Sequence, residues 1–176
     1  MTNYLLLLVI LLAAFLVLWY ENWKLDLVGL GIIFAAVAVH LFLGGMIFGA
    51  VTILFTAFLS LSLLGFIAEK AGTYTDSDFV TNGKKFQLIF AFIVLGFDYV
   101  LAISLGEILS LDPVVMLAGL ALMSNGILEF SMSNRSTTII IGLFMMLGGF
   151  YLIYLNINFS LLVAALMGAI LLGLGG

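Results

Sequence analysis

The chain has 176 residues, 65% of them hydrophobic and only 8% charged, with a mean hydropathy of +1.39. A soluble domain needs roughly a quarter of its residues charged to cover its surface, so fourteen charged side chains exclude a water-soluble globule of 19.0 kDa. Five basic residues within a net charge of -4 form no stripe that could track a phosphate backbone, which excludes nucleic acid, and the absence of Cys excludes disulfides, thiolate metal sites and Cys nucleophiles.

What remains is one membrane domain over residues 1–176, with the lipid bilayer as its first partner. Spans need about 20 apolar residues each. Breaks at charge, Asn, Gly and the single Pro predict seven of them, with the first, Tyr4 to Tyr20, read as a retained span because it has no basic leader or small-residue cleavage site. The second runs from Leu27 to Gly44 and the third from Met46 to Ala68, divided by the Gly44-Gly45 pair. A long polar segment, Glu69 to Lys85, follows and is expected to be a cytoplasmic loop between a three-span half and a four-span half. The remaining spans are Phe86 to Leu111, Pro113 to Ser133, Thr137 to Leu155 and Phe159 to Leu174; Pro113 suits a first helical turn, where its missing N–H costs nothing. Stretches such as Leu5 to Leu18 are apolar on every face, which disfavours the alternating strands of a β-barrel. The fold class is therefore an all-α polytopic bundle.

All five basic residues (Lys24, Lys70, Lys84, Lys85 and Arg135) fall in alternate connections of this plan. Lys and Arg are retained on the cytoplasmic side, which predicts the N-terminus outside and the C-terminus inside, in a plasma membrane of prokaryotic type.

Asp98 is the most informative residue. It sits mid-span in IFAFIVLGFDYVLAISL, where a carboxylate costs about 2.5 kcal/mol or more, so it must be neutralised, paired or hydrated. A cation ligand or proton carrier is one reading; a protonated Asp that only ties helices together is the other. Polar residues at similar depth are His40, Thr52, Thr56, Ser124 and Asn125, and Asp98 with the Asn125 oxygen or a His40 nitrogen could coordinate a divalent ion. His40 alone reads better as a structural hydrogen-bonding group, and with no His pair at helical spacing a dedicated zinc site is unsupported. Glu107 and Asp112 near one mouth and Glu129 near the other read as solvated interfacial acids, or as a vestibule that attracts cations toward Asp98. The 19 glycines read as close helix packing, and a bulky residue at Gly148 or Gly149 is expected to be harmful. No cofactor is expected. An enzyme is the least favoured class, with neither a His-based dyad nor a metal motif.

The stretch Val94 to Ser104, VLGFDYVLAIS, resembles the signature of TerC-type integral membrane proteins, in which an intramembrane small-x-Asp-Asn precedes a Val-Leu-Ala-Ile run. The resemblance implies divalent metal efflux, chiefly of manganese, a three-plus-four plan around a cytoplasmic linker, and Asp98 as the metal-site carboxylate. Two departures stand beside it: Tyr99 replaces the Asn, and the first span carries apolar LLAAFL in place of a second Asp-Asn. YVLAISLGE is also similar to small antiporter-like subunits of respiratory complexes and membrane hydrogenases, and SNGI with the later Gly148-Gly149 is similar to proton-gated urea channels. The expected function is a small transporter or channel for a divalent cation or proton. The alternatives are a non-catalytic subunit of a larger membrane complex and a neutral solute channel, and a homo-oligomer fits any of these.

Overall fold

Six helices follow one another in a computed structural model that describes residues 2–19, 22–71, 81–132 and 136–157: α1 (Thr2–Trp19), α2 (Trp23–Leu43), α3 (Ile47–Ala71), α4 (Thr81–Leu109), α5 (Pro113–Met132) and α6 (Ser136–Ile157). Among the described residues there is no strand. Five of the helices are long and apolar enough to cross a membrane, and α1 is a shorter apolar helix. The chain is a multi-pass helical membrane protein; the expected seventh span, Phe159 to Leu174, lies outside the described residues. Helix occupies both ends of the segment read as a loop, since α3 continues through Ala71 and α4 begins at Thr81. Polar sequence marks where lipid ends, and a helix whose backbone bonds are internal need not end there.

Local chemistry sets the tight turns. At the end of α2 the Gly45 N–H bonds the Phe42 carbonyl and the Met46 N–H bonds the Leu41 carbonyl, with Gly45 at φ 80°. This is the Schellman arrangement, and the left-handed position takes Gly because it has no Cβ to clash. The end of α4 repeats it, with Ser110 N–H to Glu107, Leu111 N–H to Gly106 and Ser110 at φ 54°. Ser110 therefore carries a left-handed strain that Gly would relieve, less what Gly loses in backbone entropy. Ser110→Gly is expected to stabilise by about 0.5–1 kcal/mol, read as a raised unfolding midpoint in detergent; a lowered midpoint would show that the hydroxyl matters more than the turn.

Successive helices run antiparallel. The helix starts of α2, α4 and α6 share one end, here the basic end because Lys24, Lys84 and Lys85 lie in these first turns; the turns at 44–46 and 110–112 mark the opposite, hairpin end. The tightest seam joins α5 and α6. Gly126 faces Gly142 and Gly119 faces Gly149, one heptad apart on each helix, and a Cβ on Gly126 would stand 2.5 Å from the Gly142 carbonyl oxygen. Small residues let main chains touch, which is how helices associate where lipid offers no hydrophobic drive. The main core is completed by α1, α2 and α3, with Phe34 of α2 edge-on to Phe144 of α6 and Tyr151 donating from α6 to the Gly49 carbonyl of α3 at 3.2 Å. Helix α4, packed on α5, is the least buried of the five spans: 17% of its span is buried, against 56% for α5 and for α6.

Candidate functional site

The buried face of α4 is built from polar and small side chains: Gln87, Ala91, Asp98, Ala102 and Gly106, spaced at whole helical turns. Its Phe92, Phe97, Tyr99, Val100 and Leu101 are exposed and apolar, as a lipid-facing surface requires. Asp98, near the middle of the span Phe86–Leu109, thereby points into the seam with α5 and is 5% exposed.

Its partner is Ser124 of α5, whose Oγ donates to Asp98 Oδ2 at 2.6 Å and also lies 3.2 Å from the Ala121 carbonyl oxygen. One hydroxyl proton thus has two acceptors within reach. Against a carboxylate, Ser124 donates to Oδ2. Against a protonated Asp98, it accepts the acid's proton and turns its own toward Ala121, so both charge states of Asp98 are hydrogen-bonded without a change of packing. Asn125, the next residue on α5, is buried as well.

The other residues singled out in the sequence go elsewhere. His40 stands on α2, which makes no substantial contact with α4. It lines an apolar cavity of about 320 Å³ between α1 and α2 with Leu6, Val9, Ala36 and Val39, and its imidazole lies beside Asn156 of α6. His40 therefore does not join Asp98 as a ligand. Thr52 returns its hydroxyl to the Phe48 carbonyl of its own helix at 2.8 Å. Glu107 is exposed in the last turn of α4, as an interfacial acid should be.

Glu129 differs from the solvated interfacial acid expected. It is 1% exposed and engaged in an interaction, packed beside Gly142 in the α5–α6 seam. The rotation of α5 that seats Gly126 against α6 also carries Glu129, three residues on, to the same face. Asp112 is a helix cap: its Oδ1 accepts from the Val114 N–H at 2.8 Å, Pro113 occupies the first helical position, and Oδ2 accepts from the Asn3 amide of α1. Four further polar side chains are buried among the described residues, Asp26 of α2, Ser60 of α3, Gln87 of α4 and Thr138 of α6. Gln87 was legible as the polar member of the stripe that ends on Asp98, eleven residues away.

Among the described residues no group of three His, Cys, Asp or Glu side chains converges on a common point. Compared with protein-family models, curated proteins and solved structures, the chain shows no significant match.

Proposed function

We propose that the chain is a small membrane transporter or channel that moves cations past Asp98, with the proton as the favoured cargo. The observation that carries this reading is the Ser124 hydroxyl, placed so that Asp98 is hydrogen-bonded whether charged or neutral. A carboxylate that can change charge at mid-membrane without losing its partner is suited to carrying protons, and intramembrane acids mark such relays by default. A divalent ion, the cargo that the TerC-type motif implies, would rest here on one carboxylate with the neutral Ser124 hydroxyl beside it. Hard cations that shed their water ask for more oxygen ligands than that. The basic end is proposed to face the cytoplasm, by retention of Lys and Arg; an N-terminal tag that reads cytoplasmic would reverse it.

The test is reconstitution of the purified protein into vesicles with a trapped pH-sensitive dye and an imposed potential. Proton entry above that of protein-free vesicles is expected. Manganese or calcium flux with no proton movement would transfer the reading to a metal site. A second reading, a subunit of a larger membrane complex, is favoured by the slight burial of α4, since the helix that carries the acid presents most of its surface outward. Obligate co-purification of a partner that shields Phe92 and Phe97 would establish it.

A further inference from the structure

Gln87 is 4% exposed, and its Nε2 is buried with no hydrogen-bond partner among the described residues. A buried amide left so is costly, and a water is the usual remedy when the site is polar. Gln87 also shares the buried face of α4 with Asp98, three turns and about 16 Å away toward the basic end. Between the two lies a small apolar cluster, separate from the main core, of Leu18 (α1), Ala91 (α4) and Leu128 (α5), backed by Phe15 and Leu88. Leu128 is one turn from Ser124, and Ala91 one turn from Gln87. On the other flank of Asp98 the same face of α4 carries only Ala102 and Gly106.

We propose that Gln87 is the hydrated entry of the route to Asp98 from the basic end, and that Leu18, Ala91 and Leu128 form the apolar closure between them. Apolar constrictions stop ions and protons by excluding water, and in this conformation the closure is shut. The proposal rests on Asp98 being the transport site, yet it concerns access, which can be read without any flux.

The natural absence of Cys makes the test direct. In sealed vesicles of known orientation, a membrane-impermeant thiol reagent is applied on the side of the basic end to Gln87→Cys and Ser124→Cys. The Gln87→Cys thiol is expected to react and the Ser124→Cys thiol to be protected. Combining Ser124→Cys with Leu128→Ala should abolish the protection; Ala91→Ser, which keeps the volume while admitting water, should do the same if Leu128→Ala fails to fold. Reaction of Ser124→Cys with the closure intact, its protection in both opened variants, or protection of Gln87→Cys would overturn the proposal. If Asp98→Asn keeps transport while the labelling pattern holds, the transport reading fails and the access route stands.

Discussion

Asp98→Asn is expected to fold as the wild type does and to carry protons no faster than protein-free vesicles. The Asn amide donates to Ser124 Oγ as a protonated Asp98 would, and Ser124 then donates to the Ala121 carbonyl, so the seam between α4 and α5 keeps its bonds. Only the exchangeable charge is gone. Monodispersity and thermal midpoint in detergent should match the wild type within about 1 kcal/mol, the scale of one ordinary hydrogen bond. If Asp98 merely ties two helices, the same substitution leaves function intact, and full activity in Asp98→Asn would sink the site assignment. Ser124→Ala should slow transport without abolishing it, because the acid remains while its partner in both charge states is lost.

The largest effect on stability is expected at Gly149. A Cβ there would collide with the Gly119 carbonyl oxygen and stand 2.8 Å from Met123 Cγ, and a main-chain oxygen cannot swing aside. Gly149→Leu should cost more than the about 1–3 kcal/mol usual for overpacking, because both helices must separate along the seam. Its neighbour is a control. A Cβ on Gly148 would meet only the Phe34 ring edge, at 3.3 Å, so Gly148→Ala should cost little. Thermal unfolding in mild detergent, with expression level as a second readout, decides between them. Equal loss at both positions would mean that the Gly119 contact does not set the cost, since helix propensity favours either substitution over Gly.

These two glycines show where sequence reading stops. Gly148-Gly149 marks close packing somewhere, but which member touches a backbone depends on the rotation of α6 about its axis, set by Phe34, Gly119 and Gly126 on other helices. The helices themselves were legible, because apolar runs broken at Gly44-Gly45 and Asp112-Pro113 follow from the cost of exposing backbone in lipid. Asp98 was legible for the same reason: a charge at mid-span is expensive enough to require an explanation. Ser124 was only one of several polar residues at similar depth, and its selection over His40 required knowing that α4 lies against α5 and not α2. Glu129 was misread as solvated because nearness to a span end was taken for exposure. Depth along a helix and the face it presents are separate coordinates, and with Ser124, Asn125 and Ser131 spread around α5, no single polar face in the sequence reveals the second for Glu129.

The glycine seam also divides the molecule by timescale. Where main chains touch at two points a heptad apart, opening one amide requires opening its neighbours, so α5 and α6 should exchange amide hydrogens as one slow unit. Helix α4, held along a narrow face, has few such obligations and should exchange sooner, its midsection around Asp98 included. The carboxyl would then ride on the least buried of the five spans, and the block behind it would provide the fixed frame against which any displacement is measured.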